Sequence, residues 1–549
     1  MLEKYSVSTK KCLFLLFFSL LSAVKKKLLS LQDAKRTYIM IFSKEDVEQI
    51  KAQGLTIKEA EEQVENFVNG FKSMQLKKAA TIGDGINSFS KQEIKDFISL
   101  YRNERDKIKV MKFVPASGAA TRMMKDLYSF VSDYKDEKAT PFHTFPLVQK
   151  LIENIKDFAF YPALQEAMEK DNLSVEQCLK TKDYKAIVEY ILLEKGLNYG
   201  KYPKAWIIFH KNKDNSVVTP FEEHLMEAAK YCNSNGEAKI EFSILKEHLD
   251  GFKKLKKELV PLYEKQYKVK YDISFSFQQH STDTIAVDMS NQPFHTEEGK
   301  LLFRPAGHGA LIENLNKLHS DIIFIKNIDN VSSKYRKETY EYKEFLAGVL
   351  LRAKQKIYSL QKKLEKKECS KQELVSIYNI IRRQAFISEV KNYTEFNTLL
   401  QYKRYLKNFL DRPLRVCGMV KNEGEPGGGP FFVEKDGEVS LQIVEKAQVD
   451  LNSLEQSKIF MQATHFNPVD LVISTTKADG KKYRLQNFVD KQAGFISEKS
   501  FAGQTIKAQE RPGLWNGAMS DWLTIFVEVP LSTFNPVKTI VDLLKESHR

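Results

Sequence analysis

Hydrophobic and polar positions change rhythm several times along the chain, and each change marks an element. Apolar residues recur at helical spacing from Ile57 to Phe71, between breaks at Gly54 and Gly70, and Ser43 stands as an N-cap before Lys44-Glu45-Asp46. Residues 43–105 therefore read as helices. Val110-Met111-Lys112-Phe113-Val114 is a short β-rich run stopped by Pro115, and Met123 to Val131 is helical again. Residues 135–260 read as mainly helical, with an extended interruption from Trp206 to Phe209. Short strands crowd residues 271–335, at Asp272–Phe277, Thr284–Val287, Leu301–Phe303 and Ile322–Ile325. From Lys334 to Leu410 the pattern is helical and charged, and strands return from Arg415 around the loop Gly424 to Pro430.

Alternating strand and helix predicts an α/β fold, Rossmann-like, with a mainly parallel central sheet and large helical insertions. The expected organisation is an N-terminal extension over residues 1–39 and a helical region over 40–109. An α/β core follows over 110–335, with a helical insertion at about 135–260. A second insertion spans 336–410, and the rest of the core spans 411–549. In the extension, the apolar run Leu13 to Val24 lies between Lys10-Lys11 and Lys25-Lys26-Lys27. As a helix it would reach about 18 Å, short of the roughly 30 Å hydrocarbon core. It reads either as a dispensable extension ahead of a start at Met40 or as a signal or surface anchor; stable membrane insertion is not expected.

Length adds that about two to four packed units are to be expected from 549 residues. With 42% hydrophobic and 28% charged residues the composition is globular and excludes bulk disorder. Five cysteines (Cys12, Cys178, Cys232, Cys369 and Cys417) form no CxxC pair, which excludes a disulfide scaffold or zinc ribbon and fits a reducing, cytoplasmic setting. Of the net charge of +14, residues 1–39 contribute +6, leaving +8 on the remainder. That excess suits polyanionic small molecules; nucleic acid as partner is disfavoured because no interleaved aromatic and basic stripe is present.

Two stretches carry chemistry. The first is Pro115-Ala116-Ser117-Gly118-Ala119-Ala120-Thr121-Arg122, set between strand and helix. Backbone N–H groups on such a loop make an anion cradle, and an arginine just beyond can take phosphate oxygens bidentately. It is neither a Walker A loop nor GxGxxG. The second is Arg304-Pro305-Ala306-Gly307-His308-Gly309-Ala310, followed by the apolar run that delivers Asp329 and Asn330 at a strand's C-terminal end. Ligands bind at that end of open α/β sheets, and aspartate is a suitable Mg²⁺ ligand.

Arg304 to Asn330 resembles the UDP-sugar pyrophosphorylases, with Pro-x-Gly-His-Gly and then a strand ending Asn-x-Asp-Asn. Gly118 to Met123 is similar to the Gly-x-Gly-Thr-Arg-Met loop of sugar nucleotidyltransferases, whose core is of the glycosyltransferase-A-like type. Glu445-Lys446-Ala447-Gln448-Val449 is similar to the same family's Glu-x-Ala-Gln-Val. The chain from Met40 also resembles a bacterial protein family of unknown function, a distant branch of this group. The resemblance implies transfer of a nucleotidyl group from a nucleoside triphosphate, UTP favoured, to a sugar-1-phosphate with release of pyrophosphate. In that reading Gly118, Ala119, Ala120 and Thr121 hold the nucleotide's phosphates and Arg122 neutralises the pyrophosphate. Gly307, His308 and Gly309 contact the nucleoside, while Asp329 helps hold Mg²⁺ or the nucleotide. Glu445 and Asn330 lie near the sugar, and Lys491 loosely matches a phosphate-binding Asn-x-Lys. Three departures stand against full catalysis: Ala120 replaces a glycine, the Pro-Lys downstream of Arg122 is missing, and Ala310 replaces an acid. The alternative is a catalytically inactive nucleotide- or nucleotide-sugar-binding protein.

Overall fold

The computed structural model describes residues 42–118, 120–135, 142–424 and 427–549; the apolar run Leu13 to Val24 and Ala119 lie outside them. The chain divides into two compact units. The smaller gathers residues up to Phe71 with Gln279–Gly307 and Gly494–Arg511. Its helices Lys44–Ala52 and Ile57–Asn69 each open on a capping box, at Ser43 and Thr56, and bury Ile50, Ala60 and Val64 against Ile285 and Leu301. The hairpin Phe495–Phe501 and Gln504–Glu510 belongs to the same unit.

The larger unit is built on a sheet whose seven principal strands are β1 (Val110–Pro115), β2 (Glu237–Ile244), β3 (Lys270–Phe277), β4 (Ile322–Lys326), β5 (Leu414–Lys421), β6 (Asp470–Ser474) and β7 (Leu523–Glu528). They lie side by side as β3-β2-β1-β4-β6-β5-β7, with β6 antiparallel to both neighbours and every other pairing parallel. Alternate residues feed two apolar cores. Val110, Val114, Ile322, Phe324, Val416 and Val472 face one, and Phe113, Ile323, Ile325, Cys417 and Ile473 face the other. Burial on both faces explains why β4 reads as an unbroken apolar run. The α/β architecture, the mostly parallel sheet and the large helical segments are as expected.

Four helices matter below: α1 (Lys91–Glu104), α2 (Thr121–Asp133), α3 (Pro220–Tyr231) and α4 (Arg336–Leu364). Helix α4, 29 residues long, packs on α1 through Gly348, where an added Cβ would stand 2.1 Å from the Phe97 carbonyl oxygen. Arg102 on α1 donates to Glu344 Oε2 of α4 from Nε at 2.9 Å, beside this contact. Gly348→Ala is therefore expected to force the two helices apart and to destabilise by about 1–3 kcal/mol, read as a lower urea midpoint with an unchanged slope.

Two stretches depart from the sequence reading. Residues 75–87, expected to be helical, form short strands, of which Gln75–Ala79 pairs with Gly429–Lys435. The helical stretch 135–260 contains β2, which pairs with β1 on one side and with the edge strand β3 on the other. Its polar alternation hides it, because the polar positions are themselves buried: Glu241 accepts a hydrogen bond from the Ser274 hydroxyl of β3, and Ser243 is fully enclosed. Among the described residues no helix is long and apolar enough to cross a membrane.

Candidate functional site

Strands β1 and β4 are parallel neighbours, so the loops leaving them emerge at one end of the sheet. The Ile328 N–H donates to the Pro115 carbonyl at 3.3 Å, which lays the loop after β4 against the loop after β1. Helix α2 then starts without a side-chain cap, because Ala120 holds the N-cap position, and no acid stands in its first turn. The first N–H groups of a helix have no partner within the helix and form the positive end of its dipole. Arg122 lies in the same turn, exposed, and among the described residues nothing bonds its side chain. Thr121 and Gly118 are exposed beside it, and a Cβ on Gly118 would meet nothing within 4 Å. Ala120 is fully buried in an apolar cluster with Met123, Met124, Val331 and Val537. Its methyl group thus fills the core behind the loop instead of projecting toward a ligand.

Past the end of β4, Asp329 is held by a residue that the sequence reading passed over. Lys204 Nζ donates to Asp329 Oδ2 at 2.6 Å and to the Val537 carbonyl at 2.6 Å, and the Val537 N–H returns to the Asp329 carbonyl at 3.1 Å. Lys204 follows Pro203 in a 3-10 turn, and Pro203-Lys204 is the only Pro-Lys step in the sequence. The pair that is missing just downstream of Arg122 therefore recurs within the stretch 135–260, after the helix that ends at Leu192, and that dipeptide was the available signal. Asn330 is buried, its Oδ1 accepting from the Asn535 N–H at 2.7 Å while Nδ2 has no partner among the described residues.

Under these loops lies a buried charge cluster, also unforeseen. Lys112 of β1 and Lys326 of β4 point to the same face and share Glu227 of α3, with Nζ–O distances of 2.6 and 2.5 Å. The Tyr231 hydroxyl donates to Glu227 at 2.8 Å, and His224 Nε2 meets the Ile328 carbonyl at 3.2 Å. Burial, with the two lysines beside it, holds His224 well below the usual histidine range and hence neutral.

A second grouping forms around His308. Its Nδ1 accepts the Leu514 N–H at 3.0 Å, which leaves the proton on Nε2, and its ring stacks on Trp515 with centroids 4.1 Å apart. Burial pushes this imidazole down to about 4, so it is neutral at ordinary pH. Gly513 permits the approach, since a Cβ there would lie 2.6 Å from His308 Cε1 and 2.9 Å from Asn516 Oδ1, a buried acceptor without a partner among the described residues. A Cβ on Gly428 would lie 3.5 Å from both Asn516 Nδ2 and Glu445 Cγ, so both side chains flank this glycine of the loop. Of the two tryptophans in 512–522, Trp515 stacks on the histidine and Trp522 is core.

The expected residues thus fall in two groups, Gly118, Ala120, Thr121, Arg122, Asp329 and Asn330 in one, His308 and Glu445 in the other. Gly309 is buried in the 3-10 turn that His308 opens, and Ala310 is buried beside it. Gly307 belongs to the smaller unit, where its φ of +75° and a Glu510 oxygen 2.8 Å from any added Cβ require glycine. Lys491 is exposed, and among the described residues nothing bonds its side chain; the nearby Ala493 carbonyl accepts from Gln448 Nε2 at 3.2 Å.

Among solved structures, a UDP-glucose pyrophosphorylase mutant from Leishmania major in complex with UDP-glucose is similar with a TM-score of 0.40 at 12% identity, covering 92% of this chain and 79% of that one. The uridine diphosphate N-acetylglucosamine pyrophosphorylase from Trypanosoma brucei in complex with inhibitor gives 0.41 at 11%, covering 85% and 72%. A UDP-glucose phosphorylase from Trypanosoma brucei gives 0.34 at 15%, with 63% of each chain covered. No curated protein matches the sequence. The model of the domain of unknown function DUF4301 matches residues 43–549, and the chain belongs to that family.

Proposed function

We propose that the chain is a nucleotidyltransferase of UDP-sugar pyrophosphorylase type, taking a nucleoside triphosphate, UTP favoured, and a sugar-1-phosphate. The observation that carries this reading is the start of α2 without a side-chain cap, with Arg122, which nothing bonds among the described residues, set beside Asp329 and Lys204 at the C-terminal ends of β1 and β4. A helix N-terminus together with an exposed guanidinium and an ammonium suits a polyphosphate. The ordered motifs ending in Glu445 agree with it.

In the reaction an oxygen of the sugar-1-phosphate attacks the α-phosphorus of the triphosphate in line. The bond from that phosphorus to the bridging oxygen breaks, and pyrophosphate leaves with the electron pair. No proton need be taken from the attacking phosphate oxygen, so the chain's work is alignment and charge neutralisation. Arg122, Lys204 and the α2 amides stabilise charge growing on the leaving pyrophosphate; a divalent ion carried by the nucleotide would add to that neutralisation. The nucleoside lies toward neutral His308 and the unpartnered Asn516 Oδ1, with the sugar toward Glu445.

A thermal-shift panel of ATP, CTP, GTP, UTP and dTTP tests this reading. UTP at a hundred times its Kd is expected to stabilise by about 2.7 kcal/mol, and His308→Ala should abolish the shift. Equal shifts with all five would refute base recognition at His308. A shift with no pyrophosphate exchange in any nucleotide–sugar combination would leave a binding protein in place of an enzyme.

A further inference from the structure

We infer that Asp329 holds an ammonium where a divalent ion would be expected, so that Lys204 is the resident cation of the phosphate site and the chain grips its ligand without a protein-bound metal. The ligand half of this inference rests on the reading above; the metal half does not.

Three observations carry it. Asp329 Oδ2 is 2.6 Å from Lys204 Nζ, and that ammonium is clamped from its other side by the Val537 carbonyl at 2.6 Å. Because the Val537 N–H in turn bonds the Asp329 carbonyl at 3.1 Å, lysine, aspartate and Val537 close a ring. A divalent ion on this carboxylate would have to sit against a fixed positive charge or break the ring. Next, the neighbouring oxygen donor is already engaged, since Asn330 Oδ1 accepts the Asn535 N–H at 2.7 Å. Finally, among the described residues no group of three His, Cys, Asp or Glu side chains could hold a metal ion. Mg²⁺ needs near-octahedral oxygen ligation and usually one or two carboxylates. Here the Asp329 carboxylate is already paired with an ammonium.

The same geometry shows what the ammonium can do. Lys204 has three N–H donors and spends two, on Asp329 and Val537. Its side chain keeps 12% of its surface exposed, at the mouth where the β1 and β4 loops meet. A lysine anchored at two donors presents the third to a phosphate oxygen as a fixed point charge, the role lysine plays in many phosphate sites.

Two measurements decide it. Mn²⁺ is titrated into the nucleotide-free protein and followed by the EPR signal of the free ion; no tightly bound ion is expected. A stoichiometric Mn²⁺ that disappears in Asp329→Asn would overturn the inference. UTP affinity is then measured by calorimetry in excess EDTA and in MgCl₂. It is expected to agree within about twofold between the buffers and to fall about tenfold or more in both for Lys204→Met, with Lys204→Arg keeping most of it. UTP binding that needs MgCl₂, or an unchanged Lys204→Met, would also overturn it. Lys204→Met/Asp329→Asn, which leaves no unpaired carboxylate, separates lost binding from lost folding and should bind as weakly as Lys204→Met. If UTP binds in neither buffer, the proposed function falls, and the Mn²⁺ titration alone decides whether Asp329 is a metal ligand.

Discussion

Glu227→Gln is expected to lower the unfolding free energy near neutral pH by about 3–5 kcal/mol, the cost of leaving buried charge without its partner. The native side chains of Lys112, Lys326 and Glu227 are all at most 4% exposed, and both lysines lean on the one carboxylate. Glutamine keeps the shape and one oxygen for the Tyr231 hydroxyl, so the loss isolates charge from packing. The pH dependence separates them further. Burial pushes the Lys112 ammonium down to about 8 from an ordinary value of 10.5, even with Glu227 present. Between those values the unfolded chain binds more protons than the folded one, so stability rises with pH across the window. Removing the carboxylate lowers the folded value again and widens the window downward. The deficit of Glu227→Gln should therefore shrink as the pH is raised from about 7 to about 9.5, past the value at which Lys112 sheds its proton. A deficit equal at both ends, from urea melts, would assign it to lost hydrogen bonds; no deficit at neutral pH would mean the cluster is hydrated.

That cluster also shows where sequence reading stops. Strand β1, the loop beyond it and α2 were legible because each carries a local signal: a β-rich run, a proline stop, small residues and helical spacing. Asp329 was legible for the same reason, at the end of an unbroken apolar strand. Lys112, Lys326 and Glu227 look in sequence like any solvated charges, and only the pairing of β1 with β4 under α3 turns them inward. Lys204 was missed because its partners, Asp329 and Val537, lie far along the chain. β2 was missed because its polar positions find buried partners on β3, a property of the neighbour and not of the segment. That Ala120 replaces a glycine was legible, but not which way its methyl points; the structure buries it in one apolar cluster with Met123, Met124 and Val537.

Arg122→Ala should leave the fold untouched and remove most of the activity. The side chain is exposed and makes no bond among the described residues, so its loss is expected to change stability by less than about 0.5 kcal/mol. A charge-assisted hydrogen bond to phosphate contributes about 1.5–3 kcal/mol, which sets a loss of about 10- to 100-fold in UTP affinity. Turnover should fall further, by about 10²–10³, because charge on the leaving pyrophosphate grows only in the transition state, where a preorganised donor acts most strongly. Arg122→Lys should recover part of the affinity and little of the rate, since an ammonium supplies charge but not the planar fork. Pyrophosphate exchange on the variants reads both quantities. The double variant Arg122→Ala/Lys204→Met carries the sharper information. If guanidinium and ammonium grip the same polyphosphate from the ends of β1 and β4, their effects on turnover should couple by more than about 0.5 kcal/mol. Strict additivity would place them on separate groups, and Arg122 would then serve the sugar phosphate instead of the leaving pyrophosphate.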